Sequence, residues 1–249
     1  MTGQALILCA TRLEMAVFLE RHPVRRVGDA APHFPVYAGA DQSWDLALSG
    51  PGGFNAARAL TACLERCRPK FILHTGIAGV FAGTGVNLGD AAVAATDTYV
   101  HTGVDLRPDS DRHGSSMRLD PLPFDLIPEQ GRTRQGIYDL DADLAASCFR
   151  VLERHLGCRV IQGPFITVSA ITGSLEKADA LIQTFSPVME SMEGAAAAHV
   201  AALYRVPMVE IRAASNRVGE RDKTRWDVQG AVHTVADICD ILLEKGFDP

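Results

Sequence analysis

Glu14, Glu193 and Asn216 are the residues whose types and placement point most directly to chemistry. Each follows an apolar run that reads as a strand: Ala5 to Cys9 before Glu14, Pro187 to Ser191 before Glu193, and Pro207 to Ala214 before Asn216. In α/β sheets, ligands bind beyond the carboxyl ends of the strands. Polar groups at such ends can therefore face one ligand. A carboxylate can take up a proton or hold a hydroxyl, and a carboxamide offers one acceptor and two donors.

Each of these residues also has a plainer reading. Thr11-Arg12-Leu13-Glu14 fits a capping box, in which the Glu reaches back to a backbone amide. Glu193 opens an Ala-rich helix, where a carboxylate complements the helix dipole. The small residues Gly194 to Ala198 let that helix start approach either the sheet or a ligand. Asn216 also suits a turn, because Asn tolerates left-handed geometry. Thr75-Gly76-Ile77-Ala78-Gly79 reads as a glycine-rich strand exit that cradles an anion or merely turns tightly. It lacks the Lys-Ser/Thr of a P-loop and the spacing of a dinucleotide fingerprint.

The elements that must position these groups alternate along the chain. Strands are expected at 5–9, 44–49, 71–74, 91–100, 159–169, 187–191 and 207–214. Helices are expected from Thr11, and over 54–67, 141–155, 174–185, 194–204 and 227–245. Arg107 to Pro128, polar and rich in Pro, Asp and Ser, reads as one long loop. Alternation of this kind implies an α/β fold with a largely parallel sheet covered on both faces. No internal repeat or low-complexity tract divides it, so 1–249 reads as a single domain.

Bulk properties narrow the function. Hydrophobic residues make up 47% of the 249, which suits a globular chain. Lys plus Arg number 24 against 30 Asp plus Glu, a net charge of -6, and no basic stripe is present for a nucleic-acid surface. No run approaches the ~20 apolar residues of a membrane helix. No basic stretch precedes a long apolar run, so a signal peptide is not expected and a cytoplasmic protein is. Cys63 and Cys67 lie one helical turn apart, but no His or second Cys pair completes a zinc set. The six cysteines read as free thiols, with Cys9 a small core residue. No metal or other cofactor is implied.

Taken in order, these motifs resemble the purine nucleoside phosphorylase/uridine phosphorylase superfamily, and within it the nucleosidase branch, over nearly the whole chain. Ala10 to Glu14 resembles the family's N-terminal motif, which ends on a catalytic acid/base. Thr75 to Gly79 with Asn87-Leu88-Gly89-Asp90 resembles the glycine turn and following strand entry of methylthioadenosine/S-adenosylhomocysteine nucleosidases. Ser191-Met192-Glu193-Gly194-Ala195-Ala196 resembles the ribose motif, in which the Met packs near the sugar and the Glu binds its hydroxyls. Pro207 to Asn216 resembles the strand that delivers the purine-recognition residue.

There are departures. The purine-recognition Asp of the methylthioadenosine enzymes is Asn216 here. A hydroxyl-bearing residue often found in the glycine turn is Ile77, and the Gly-Asp-Pro phosphate motif of the phosphorylases is missing. Asn216 to Asp222, Trp226-Asp227, Glu210 and Gly194 look more like the futalosine hydrolases, which cleave futalosine to hypoxanthine and dehypoxanthinyl futalosine on a route to menaquinone.

The resemblance implies a three-layer α/β/α fold with a mixed, largely parallel twisted sheet, a small nucleoside substrate and a homodimer or higher homo-oligomer. It implies Glu14 and Asn216 as catalytic residues. Glu193, Met192, Ile77, Ala78, Gly79 and Ile171 would contact substrate. Arg217 and Arg221, with Arg107 and Arg134, are candidates for the benzoate carboxylate, and Trp226 for its ring; each Arg also reads as a solvated surface charge. A methylthioadenosine-type nucleosidase, a phosphate-dependent phosphorylase and a non-catalytic nucleoside binder are the alternatives.

Overall fold

A computed structural model describes residues 5–104, 119–120, 122–127 and 136–246. Strand β1 (Ala5–Cys9) is buried at every position. Leu6 and Leu8 face one core, while Ala5, Ile7 and Cys9 face another. Such a strand is covered on both faces, and each fully buried Leu or Ile contributes about 1.5–3 kcal/mol. Between β1 and the next sequence-expected strand lie two that the sequence reading missed, β2 (Val24–Asp29) and β3 (Pro35–Gly39). They form an antiparallel edge whose Arg25 and Arg26 are exposed. Charged edge strands of this kind lack the apolar signal of a buried one.

The remaining strands are β4 (Trp44–Leu48), β5 (Phe71–Val80), β6 (Ala91–Tyr99), β7 (Ile137–Asp139), β8 (Val160–Thr167), β9 (Met189–Ser191) and β10 (Met208–Arg217). β5 pairs with β10 along nearly its whole length. Its other edge is shared: β1 takes Phe71 to His74, and β9 takes Gly79 and Val80. β9 pairs with β8, β8 with β6, and β6 with β10. The sheet therefore closes into a ring, β5-β10-β6-β8-β9, from which β1, β4, β3 and β2 extend as a wing.

The fold is α/β, with a mixed sheet flanked by helices. The sheet is mixed as expected, and its parallel ladders pair more residues than its antiparallel ones. Among the described residues, parallel and antiparallel strand pairs are equal in number. Closing the ring requires the antiparallel contacts β10–β6 and β5–β9, and the wing ends in an antiparallel meander.

Helices α2 (Gly53–Leu64) and α5 (Gly194–Tyr204) pack together over one face. Helices α1 (Ala16–Arg21), α3 (Ala142–His155) and α6 (Val228–Lys245) cover the other. Helix α4 (Leu175–Phe185) closes a third, smaller cluster with Phe81 and Ile166. Asp141, Ser174 and Asp227 cap α3, α4 and α6 by accepting from backbone N–H groups.

Three local expectations change. Thr11 to Met15 form a turn and α1 begins only at Ala16. The glycine-rich segment after His74 does not leave the sheet but continues β5 to Val80. Asn216 lies inside β10 and not in a turn. Most of the expected 107–128 loop lies outside the described residues, as do Arg107 and Arg134. Cys9, Cys63, Cys148 and Cys239 are buried free thiols. Among the described residues, no helix is long and apolar enough to cross a membrane.

Candidate active site

The site forms where β1 and β9 part company along one edge of β5. Between His74 and Gly79 that edge has no strand partner, and the turn after β1 fills the gap. Glu14 Oε1 accepts from the Ile77 backbone N–H at 3.1 Å. Its Oε2 accepts from Thr11 N–H at 2.9 Å and from the Thr11 hydroxyl at 2.6 Å. The capping-type contacts are therefore real, but they belong to a turn. They turn Glu14 inward, where it is buried, instead of serving a helix end. Gly76 makes this possible: at φ +152°, a Cβ there would stand 2.6 Å from Glu14 Oε1 and 2.7 Å from Arg212 Nη1.

Glu193 enters from the opposite wall as the residue preceding α5. Its Oε1 accepts from Gly52 N–H at 2.7 Å, and its Oε2 lies 3.7 Å from an Arg212 nitrogen. Arg212, fully buried on β10, thus sits beneath both acids. It donates Nε–H to Glu210 Oε1 at 2.8 Å and Nη2–H to His74 Nε2. Because Arg can only donate, His74 Nε2 must accept, and its Nδ1–H donates to the Leu8 carbonyl at 3.1 Å. Burial first, and then the Arg212 charge, holds His74 well below its usual pKa, so it is neutral. Burial alone would lower the Arg212 pKa, but the charges of Glu210, Glu193 and Glu14 raise it, so it stays cationic. Arg212 Nη1 has no hydrogen-bond partner among the described residues. It is a buried donor on the Glu14 side of the cluster.

A second acid closes this cluster from below. Asp97 and Glu210 are both fully buried; Asp97 Oδ1 accepts from the Thr167 hydroxyl at 2.8 Å, while Asp97 Oδ2 and Glu210 Oε2 have no hydrogen-bond partner among the described residues. Burial, then the Glu210 charge, raises the Asp97 pKa far above the carboxylate range. Asp97 therefore carries the proton that lets two carboxyl groups meet. Gly194 leaves the room: a Cβ there would be 2.1 Å from Asp97 Oδ2 and 2.4 Å from Glu210 Oε2.

At the other end of the cleft, Asn216 Oδ1 accepts from the Ser215 hydroxyl at 3.0 Å, and its Nδ2 donates to the Arg217 carbonyl at 3.2 Å. Glu190, on β9, accepts from Thr172 N–H at 3.0 Å and from its hydroxyl. Burial raises the Glu190 pKa, opposed by these two donors and by the Arg221 charge. The Arg221 guanidinium lies 5.1 Å above the Trp226 ring at the mouth.

One cleft of about 310 Å³ gathers these groups. Of the residues singled out from sequence, Glu14, Ile77, Ala78, Gly79, Ile171, Met192, Glu193, Asn216, Arg221 and Trp226 line it. Arg217 does not; it is exposed at the end of β10, since strand neighbours point to opposite faces and Asn216 takes the cleft side. The sequence reading missed Arg212, His74, Asp97, Glu190 and Thr172, and took Glu210 only as a family marker. The available signal was the pair Glu210 and Arg212, two residues apart inside an apolar strand. Charges there need each other.

The family model described as "Phosphorylase superfamily" matches residues 4–245. A futalosine hydrolase from Thermus thermophilus is 31% identical over 97% of this chain and 96% of its own. The chain belongs to the phosphorylase superfamily. Within it the chain is a nucleosidase, an enzyme that hydrolyses N-glycosidic bonds. A 5'-methylthioadenosine/S-adenosylhomocysteine nucleosidase from Maridesulfovibrio salexigens is 29% identical over 70% of this chain and 68% of its own.

Solved members of the superfamily share the fold. The native futalosine hydrolase of Helicobacter pylori superimposes with a TM-score of 0.79 at 20% identity, covering 98% of each chain. The Neisseria meningitidis methylthioadenosine/S-adenosylhomocysteine nucleosidase, in complex with methylthio-immucillin-A, gives 0.78 at 23% identity, over 98% of this chain and 100% of that one.

Proposed function

We propose that this phosphorylase-superfamily enzyme hydrolyses futalosine, releasing hypoxanthine and dehypoxanthinyl futalosine on a route to menaquinone. The observation that carries the reading is the carboxamide of Asn216 at one end of a cleft whose other end holds Glu14 and Glu193. A 6-oxopurine presents an acceptor at position 6. Asn can donate to it, whereas an ionised Asp would set two acceptors together. The full-length likeness to a futalosine hydrolase supports the same choice.

The chemistry follows from the geometry. Water attacks C1' of the ribose, the C1'–N9 bond breaks, and its electron pair leaves with the base. Glu14 takes the water proton, with the buried Arg212 charge lying behind it. Glu193 binds the ribose hydroxyls and favours the cationic sugar. Groups fixed before charge develops supply the largest share of such catalysis. Asn216 accepts from N7 once that nitrogen is protonated; an amide is too weak an acid to supply the proton, which leaves water as its source. Arg221 and Trp226 at the mouth take the benzoate end.

The working unit in this reading is a homodimer. Phe54 is 96% exposed and stands with Ala57, Tyr99 and Ala196 in an apolar groove that shares Met192 with the cleft. A second copy covering that groove would complete the pocket wall.

A product assay on a small nucleoside panel, with and without phosphate, tests the activity. Hypoxanthine released from futalosine without phosphate is the expected result. Adenine released faster from methylthioadenosine overturns the substrate, and a requirement for phosphate overturns hydrolysis.

A further inference from the structure

The mechanism above leaves one buried acid of the cleft without a role. Glu190 lies on β9, and its side chain is tied to Thr172 through the backbone N–H and the hydroxyl. The strand register places it. Glu190 pairs with Gly79 on β5, and Gly79 pairs with Asn216 on β10. Paired residues of neighbouring strands point to the same face of a sheet. Glu190, the bare Cα of Gly79 and Asn216 therefore form one row across three strands, about 10 Å from end to end. A Cβ on Gly79 would stand 2.9 Å from Val218 Cγ2 and 3.4 Å from Asn216 Nδ2, so the glycine lets both side chains lie close against β5. Glu190, Gly79 and Asn216 all line the cleft, which therefore has a polar group at each edge of this row. A purine with a hydrogen bond of about 2.9 Å at either edge fits that span.

The two edges demand different chemistry. Asn216 faces the position 6 and 7 edge in the function proposed above. The opposite edge carries position 1, which is N–H in a 6-oxopurine and a bare acceptor nitrogen in a 6-aminopurine. We propose that Glu190 reads this edge, its carboxylate accepting the N1–H of a 6-oxopurine and repelling the unprotonated N1 of a 6-aminopurine. Each Glu190 oxygen spends one lone pair on Thr172 and keeps another for the base. The same contacts occupy the Thr172 N–H and hydroxyl, which would otherwise be donors suited to an aminopurine. Glu190 thereby turns a donor edge into an acceptor edge. Burial raises the Glu190 pKa, and the two Thr172 donors and the Arg221 charge oppose that rise. A site whose polar groups match one base rejects its mismatched counterpart strongly.

The inference rests on the cleft being a purine site, and its test is separable from the turnover assay. Free hypoxanthine and free adenine are titrated calorimetrically into the whole protein and into Glu190→Gln. The variant is expected to lose about tenfold or more in hypoxanthine affinity while adenine affinity holds or improves, because a Gln amide can donate to N1. Equal losses for both bases would reduce Glu190 to a support for the Thr172 segment and overturn the proposal, as would no change. If Glu190→Gln does not fold, the wild-type protein is titrated with the hypoxanthine analogue bearing C–H at position 1. Weaker binding than hypoxanthine is expected, and equal binding overturns the proposal. A wild-type enzyme that releases hypoxanthine from futalosine, with base preference unaltered in Glu190→Gln, would sink this inference alone. One that releases only adenine would sink the function proposed above.

Discussion

The two ends of the cleft are built differently. At the end holding Glu14 and Glu193, Arg212, Glu210, Asp97 and His74 are fully enclosed; Arg212 holds Glu210 and His74, and the Thr167 hydroxyl holds Asp97. At the base end and mouth, Asn216 is half-buried and Arg221 and Ile171 are exposed, on strand ends and connecting segments. In the function proposed, the end holding Glu14 and Glu193 would bind the sugar, and a buried interior keeps its charges strong and fixed before reaction. In the same reading, the mouth would discriminate among ligands with exposed residues that can change without repacking the core. Within one fold, bond-breaking and recognition can thus vary separately.

Substitutions can break or sharpen that contrast. The largest effect is expected at Glu14. Glu14→Gln keeps the size and removes the base, so kcat should fall by about 10²–10⁴-fold with little change in KM. Steady-state kinetics that show unchanged kcat would leave Glu14 only its contacts to Thr11 and Ile77. Next comes Gly194→Ala, which drives a methyl group into the Asp97–Glu210 contact. Overpacking of this kind costs about 1–3 kcal/mol, and a denaturant melt should show it together with a fall in kcat as Arg212 shifts. An unaltered midpoint and rate would mean that the acid pair does not hold Arg212 in register.

Asn216→Asp, at the base end, should leave the fold intact and move the kcat/KM ratio toward 6-aminopurine nucleosides by about tenfold or more. Competition between the two substrate types measures it, and an unshifted ratio removes Asn216 from base selection. The smallest effect belongs to the rim. Arg221→Ala should raise KM for futalosine by about 3–10-fold and weaken its salt dependence, whereas Arg217→Ala should do neither. Equal effects from the two would place the benzoate elsewhere.

How much of this was legible differs by residue. Glu14, Glu193 and Asn216 stood out because polar residues follow apolar runs at three strand ends, a one-dimensional signal. Arg212 did not, because a charge inside a buried strand looks like an error until its partners, 138 residues away in the case of His74, are known. Glu190 was hidden for the same reason, since its partner Thr172 lies 18 residues earlier, in the segment between β8 and α4. Arg217 was overread because proximity in sequence does not say which face of a strand a side chain takes.

Hydrophobic periodicity and capping residues act over a few neighbours, so the amino-acid order alone determined most strands and helices and the candidacy of two acids and an amide. Closure of the sheet, the gap along β5 that Glu14 fills, and the buried ionic group under the sugar were decided only by the tertiary structure. Strand pairing and desolvation join residues far apart in the chain. The energy of a buried charge depends on what surrounds it in three dimensions.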